Sequence, residues 1–361
     1  MNIPQRIRLL FQKCLSLQYR FTLDGKAFSP AIQSKIKKII ESRDIYLYDE
    51  KIAMDLSNNW QGVMSAPTYL RFIENAIPVV LAANEDFAPY TAVMLQSLLD
   101  NSNTQRKYHF IIFERKFSVR TKNHLINQVK NFSHCEIDFI NVENAFSEIP
   151  IVPAVDSYIS LDTFLRLFIP YWLDKYPKVI YCDSDMIAKA DIAELYDLNI
   201  FDHYIGVAVN TEISEKIENR KYSSLLNNTV FLYLDNWLKY INAGVLIFNT
   251  KIFNSKFSYN ETFKLAIWYT NRYKKRLDDQ DILAILVKDN YFILPTEWNH
   301  FCRLTKNKYN YLPIESGPKL LHFYSYVKPW KDIIDANDPI VLEYRNYAES
   351  IPLFREMGIK Y

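Results

Sequence analysis

The stretch Val179-Ile180-Tyr181-Cys182-Asp183-Ser184-Asp185 ends an apolar run with two carboxylates set one residue apart. The run reads as a buried strand, and on an extended chain Asp183 and Asp185 face the same way. Two like charges in that position repel each other and lose solvent. Three chemistries would answer the problem: a bound cation, a general acid/base pair, or a solvated Asx turn. A divalent cation neutralises both charges and offers its remaining positions to phosphate oxygens. Other residues carry chemical potential too. Arg166 stands alone among Leu165, Leu167 and Phe168 and needs a partner, such as Asp162, or a route to solvent. Asp279 and Gln280 precede an apolar helix from Ile282 to Val287, where acids also serve as caps.

The elements that must position these groups alternate. Ile77 to Ala83 reads as a strand, Pro89 to Leu99 as an amphipathic helix, Tyr108 to Phe113 as a strand and Ser118 to Val129 as a helix. Glu136 to Val142 has the period of a third strand, and Leu161 to Trp172 reads as a helix. Strands alternating with helices predict an α/β fold with a mostly parallel sheet flanked by helices. In such sheets ligands sit at the carboxyl ends of strands, where Asp183 and Asp185 lie. That context favours the cation. A helical N-terminal extension is expected at 1–76, the main domain at 77–330 and a helical tail at 331–361.

Composition closes other routes. The 361 residues contain only 6 glycines and neither a phosphate-loop motif nor a dinucleotide-binding turn. The four cysteines, Cys14, Cys135, Cys182 and Cys302, form no C-x-x-C pair, which suits buried thiols in a reducing compartment. The opening MNIPQRIRLLFQKCLSL is broken by Gln12 and Lys13 and makes a poor secretory signal, so a cytoplasmic location is expected. Net charge is +2, yet residues 1–43 carry nine Lys/Arg against Asp24 and Glu41. This arm reads first as solvated helices; peripheral contact with the inner face of the cytoplasmic membrane is the alternative. Nucleic acid is not an expected partner, because no aromatic-basic stacking pattern accompanies the charge.

Five ordered blocks resemble glycosyltransferase family 8, retaining sugar transferases of GT-A (Rossmann-like) fold. They are VVLAANEDFAPYTAVMLQSLL at 79–99, SLDTFLRLFIP at 160–170, VIYCDSD at 179–185, YINAGVLIFN at 240–249 with DDQDIL at 278–283, and LLHFYSYVKPW at 320–330. The resemblance implies a hexosyltransferase that moves galactose or glucose from a UDP-sugar to a saccharide or glycolipid acceptor in lipopolysaccharide or capsule synthesis. It puts Asp183, Asp185 and His322 on a metal, and that donor set suits Mn²⁺ better than Mg²⁺. It puts Ala82, Asn84 and Asp86 around uridine, with Asn84 where related enzymes often have Asp. Asp183, Ser184, Arg166, Asn242 and Ala243 fall on the donor side. Lys328 would face the diphosphate, and Ser325 stands where the family typically has Gly.

By the same resemblance Asp279 contacts sugar hydroxyls and Gln280 lies under the anomeric carbon. A neutral amide is a poor nucleophile, so front-face attack through an oxocarbenium-like state is expected. Residues 211–240 fill the place of a lid, and Trp298, His300 and Trp330 are candidates to stack on sugar faces. A sugar-nucleotide transferase would carry a glycine-rich first loop, which AANEDFAPY lacks. A homologue that binds without turnover would lack a metal ligand or Gln280.

Overall fold

The computed structural model describes residues 71–143, 161–210, 240–272, 279–288, 290–305, 308–310, 317–324, 328–330 and 338–356. The basic arm at 1–43, Cys14, all of the expected lid at 211–240 except Tyr240, and Ser325 lie outside the described residues, as does the side chain of Asp162.

The strands are β1 (Ala76–Asn84), β2 (Lys107–Arg115), β3 (Cys135–Asn141), β4 (Lys178–Cys182), β5 (Met186–Ala188), β6 (Ile205–Val209), β7 (Ile241–Asn249), β8 (Tyr291–Ile293), β9 (His300–Phe301), β10 (Arg303–Thr305), β11 (Lys308–Asn310) and β12 (Leu320–His322). Seven of them form one sheet of order β3-β2-β1-β4-β7-β6-β8. β1 pairs in parallel with β2 and β4, β2 with β3, and β6 with β8. β7 runs against both of its neighbours, β4 and β6. The sheet is therefore mostly parallel but mixed. β5, β12 and β9 form a small second sheet beside the carboxyl end of β4.

Flanking the sheets are α1 (Ala88–Asp100), α2 (Val119–Val129), α3 (Ile169–Trp172), α4 (Ile192–Tyr196), α5 (Thr250–Lys256), α6 (Tyr259–Arg272), α7 (Asp279–Val287), α8 (Pro339–Ser350) and α9 (Pro352–Glu356). The large sheet is covered on both faces, which is why its strands read as continuous apolar runs. Val80, Ile111 and Phe113 enter one core, and Val79, Leu81, Phe110 and Ile112 the other, as strand alternation requires. α8 and α9 close the second core: Trp330 stacks on Tyr90 with ring centroids 4.1 Å apart, and Tyr344 lies 5.1 Å from Trp330. Cys135, Cys182 and Cys302 are buried free thiols, and burial pushes the Cys135 thiol up to about 11.

Two expectations need correction. The helix expected over Leu161 to Trp172 is a 3-10 helix at Leu161–Phe168 followed by the short α3. Pro170 has no N–H for the carbonyl of residue 166, so the α-helical ladder is broken there and the proline sits in the first turn of α3. β4 also stops at Cys182, and Asp183 to Asp185 lie in the bend that leads to β5. Alternation along a strand is therefore not what brings the two carboxylates together.

Candidate functional site

The second sheet does that work. β5 and β12 pair antiparallel with Met186 opposite His322, and Phe323 N donates to Asp185 O at 2.9 Å. This register sets the imidazole beside the bend. One ligand atom from each of Asp183, Asp185 and His322 can be chosen so that all lie within 4.8 Å of one another. His322 Nε2 stands 3.4 Å from Asp185 Oδ1 and 3.9 Å from Asp183 Oδ2. Its Nδ1 sits 2.8 Å from Asn299 Oδ1. A divalent ion fits this donor set: two carboxylates and an imidazole converge, and the far ring nitrogen is held by an outer partner.

A bulge in β7 supplies the next part. Its register with β6 slips between Val207 and Ala208, which face Leu246 and Asn242, so Ala243 to Val245 have no partner on β6. Bulges of this kind redirect backbone groups toward a site. The freed groups of Ala243 are taken by side chains: its N–H donates to Gln280 Oε1 at 3.1 Å, and its carbonyl accepts from Arg166 Nη1 at 2.6 Å. Gly244 accepts from Asp183 N at 2.8 Å and donates to Asn242 Oδ1 at 3.0 Å. A Cβ on Gly244 would lie 2.5 Å from His322 Cε1. Gly244 is thus small because the imidazole lies against it.

Arg166 is buried and fully engaged. Nη2 pairs with Asp183 Oδ1 at 3.0 Å, and the guanidinium lies 4.7 Å from the centre of the Tyr181 ring. Nε stands 2.7 Å from Asp279 Oδ2, but its hydrogen is directed at Thr163 O, 2.9 Å away. Asp279 Oδ2 is therefore held by charge and not by a hydrogen bond, and it has no hydrogen-bond partner. Burial works against the Arg166 charge, but Asp183 and then Asp279 outweigh it and raise the pKa. For Asp279 burial dominates and raises its pKa, opposed by Arg166 and reinforced by Asp183. Burial also pushes the Tyr181 phenol well up, so its hydroxyl remains a donor, to Asp183 Oδ1 at 2.7 Å.

Gln280 is fixed at both ends, since its Nε2 donates to Tyr240 OH at 2.9 Å while Tyr240 OH bonds Asp281. Lys328 Nζ meets Asp185 Oδ2 at 2.6 Å and Phe323 O at 2.5 Å. Burial of Asp185 favours its neutral form, but Lys328 and His322 outweigh that and hold its carboxyl below the usual carboxylate range. Ser184 is buried, accepts from Thr91 Oγ1 at 2.9 Å and donates to Ala82 O at 3.3 Å, which ties the bend to the end of β1. Half-buried Asn84 caps the turn at Glu85–Phe87 by accepting from Phe87 N at 3.1 Å, and Asp86 is exposed on that turn. The structure thus gathers Arg166, Asp183, Asp185, Asn242, Ala243, Asp279, Gln280, His322 and Lys328 into one connected cluster, with Ala82 and Ser184 at its border. Asn84 and Asp86 stand further along the β1 exit.

The aromatic candidates for sugar stacking do not serve. Trp298, His300 and Trp330 are all buried, with Trp330 sandwiched by Tyr90 and Tyr344. Aromatic rings near a site in sequence are as readily drawn into the core. Three participants carry no motif signal in the sequence: Tyr181, Tyr240 and Asn299. Tyr181 is a polar-tipped residue in the apolar strand β4 and Tyr240 stands just before the apolar β7, which is the trace they leave. Asn299 has only its place between Trp298 and His300.

A family model described as glycosyl transferase family 8 matches residues 78–334. A Haemophilus influenzae protein with a provisional glycosyltransferase name is 27% identical over 224 residues, covering 61% of this chain and 62% of that one. The lipopolysaccharide glucosyltransferase WaaO of Escherichia coli K12 is 24% identical over 188 residues, covering 50% of this chain and 52% of WaaO. The chain thus spans under two thirds of the length of each of these relatives. The crystal structure of the galactosyltransferase LgtC with donor and acceptor sugar analogs matches with a TM-score of 0.56 at 20% identity, covering 76% of this chain and 96% of LgtC. At that identity the likeness is one of fold, and the fold is GT-A. With the family model matching most of its length, the chain belongs to glycosyl transferase family 8.

Proposed function

We propose that the protein is a metal-dependent retaining hexosyltransferase that transfers galactose or glucose from a UDP-sugar to a saccharide acceptor in surface-glycan synthesis. The observation that carries this reading is the convergence of Asp183, Asp185 and His322 within 4.8 Å. Two carboxylates with an imidazole suit Mn²⁺, with Mg²⁺ as the harder substitute. When bound, the cation supplies positive charge to the diphosphate of the donor.

The chain's own residues do the rest. The ammonium of Lys328 reaches the acidic bend and is placed to balance charge that builds on the leaving phosphate. Arg166 holds Asp183 and Asp279 in place, with Asp279 as the carboxylate that contacts the sugar hydroxyls. Gln280, fixed by Ala243 and Tyr240, presents a neutral amide to the face of the sugar opposite the leaving group. An amide so bound forms no covalent intermediate. The anomeric carbon–phosphate bond breaks as the acceptor oxygen bonds the same face, and the departing phosphate oxygen takes the acceptor's proton.

The name of WaaO supports a lipopolysaccharide-type acceptor, and among the described residues no helix is long and apolar enough to cross a membrane. We place the enzyme in the cytoplasm, with peripheral contact at the inner face of the membrane through the basic residues 1–43 as the alternative. The test is a panel of nucleotide sugars with Mn²⁺, with and without chelator, reading UDP release. Turnover of a UDP-hexose that chelator abolishes is expected. Release that ignores chelator, or none from any UDP-sugar, overturns the reading. Asp185→Asn keeps an acceptor for Lys328 and is expected to lose turnover with its melting temperature nearly unchanged.

A further inference from the structure

We propose that Asn242 and Asn299 are positioning residues: a relay of two amides that sets the tautomer of His322, keeping the proton on Nδ1 and the lone pair of Nε2 toward Asp183 and Asp185. The purpose of the relay rests on the metal reading above; its geometry does not.

Gly244 N–H is a backbone group and can only donate. It bonds Asn242 Oδ1 at 3.0 Å, which fixes which end of that amide is oxygen. The same oxygen faces Asn299 at 2.9 Å, so the facing atom of Asn299 must be its NH2 group. The other end of Asn299 is then oxygen, an acceptor only, and it lies 2.8 Å from His322 Nδ1. Nδ1 therefore carries a hydrogen, and in the neutral ring that leaves the lone pair on Nε2. Turning Asn299 over would set oxygen against oxygen at Asn242. Turning Asn242 over would set donor against donor at Gly244. Asn242, Asn299 and His322 are 8%, 5% and 3% exposed, so little water is at hand to repair either error.

The bias is needed. Two carboxylates beside Nε2 attract a proton to that nitrogen, and an Nε2–H ring has no lone pair to give a cation. Their pull is weakened by partners elsewhere: Lys328 on Asp185, and Arg166 and Tyr181 on Asp183. A relay anchored on a backbone N–H decides which nitrogen keeps the hydrogen when the ring is neutral. Phe301 and Tyr324, with centroids 5.8 and 6.0 Å from the imidazole, pack around the ring and restrict its rotation.

The test uses the full chain labelled with ¹⁵N-histidine and free of metal, with the His322 signals assigned by their loss in His322→Gln. At a pH high enough for the ring to be neutral, the expected spectrum has a protonated Nδ1 and an unprotonated Nε2. Asn299→Leu removes the acceptor and is expected to move the proton to Nε2 or let it exchange between the two. The same variant should bind Mn²⁺ about 10–100-fold more weakly by calorimetry, as loss of an outer partner of a ligating histidine does. Asn242→Leu frees Asn299 to turn over, and it should mix the tautomers while leaving the acidic bend intact. A neutral wild-type ring protonated on Nε2, or an unchanged tautomer in both variants, overturns the relay. A wild type with the expected tautomer but no Mn²⁺ binding supports the relay and sinks the metal reading.

Discussion

Replacing Gly244 by Ala tests the geometry of the cluster most directly. The added Cβ would fall 2.5 Å from His322 Cε1, 3.0 Å from His322 Nδ1 and 3.0 Å from Asn242 Oδ1. Non-bonded carbon atoms settle near 3.5–4.0 Å, so the ring must retreat by about 1 Å. Metal–ligand distances tolerate only about 0.2 Å, and the retreat also strains the 2.8 Å contact of Nδ1 with Asn299. Mn²⁺ affinity is expected to fall by at least about 10–100-fold. Overpacking should also cost about 1–3 kcal/mol of stability. Calorimetric titration with Mn²⁺, beside urea denaturation, reads both quantities.

Gly206→Ala is the control. Its Cβ meets the Leu294 Cδ2 methyl at 3.1 Å, in β6, where a side-chain end can give way. That variant should lose some stability and keep its Mn²⁺ affinity. A folded Gly244→Ala protein that binds Mn²⁺ as the wild type does would refute the reasoning.

Two further outcomes follow from buried charge. Arg166→Met leaves Asp183 and Asp279 without their shared cation and should cost about 3–5 kcal/mol in denaturant unfolding. Arg166→Lys should recover only part of that, because an ammonium cannot span Asp183 and the Ala243 carbonyl as the guanidinium fork does; full recovery would count against the fork. Far from the site, buried His109 contacts Asp138 Oδ2 through Nε2 and Tyr176 OH through Nδ1, while Tyr176 OH accepts from Ile73 N. This network suits a neutral ring, and burial lowers the His109 pKa despite the opposing charge of Asp138. The unfolded chain then binds the proton more readily, so stability should be full above about pH 6.5 and fall as pH drops through the lower folded value. His109→Phe should flatten that part of a melting-temperature profile, and an unchanged slope would show that His109 is not its source.

Much of the fold was legible because it is local. The apolar runs at Val79–Leu81, Phe110–Phe113 and Val179–Cys182 announce strands buried on both faces, and the helices between them follow from spacing. β7 was not legible as a strand running against its neighbours, since a run buried on both faces looks alike in either direction. The same limit applies to the bulge at Ala243 to Val245, which appears only when β7 is laid against β6. For the site, the Asp-Ser-Asp step was visible but for an incomplete reason: pairing of β5 with β12, not alternation along β4, makes the carboxylates converge with His322. The aromatic side chains near the site misled, because ring type alone does not separate core from binding surface.

What the amino-acid order determined by itself was the succession of elements, the acidic step at the end of a central strand and the family to which the chain belongs. Each of these depends on neighbours in sequence or on ordered blocks. Only the tertiary structure decided that Lys328 meets Asp185 across 143 positions, that Gly244 is small to admit an imidazole, and that Asn299 is part of the site. Such contacts arise from strand order and register, and no local propensity encodes which distant residues two strands will bring face to face.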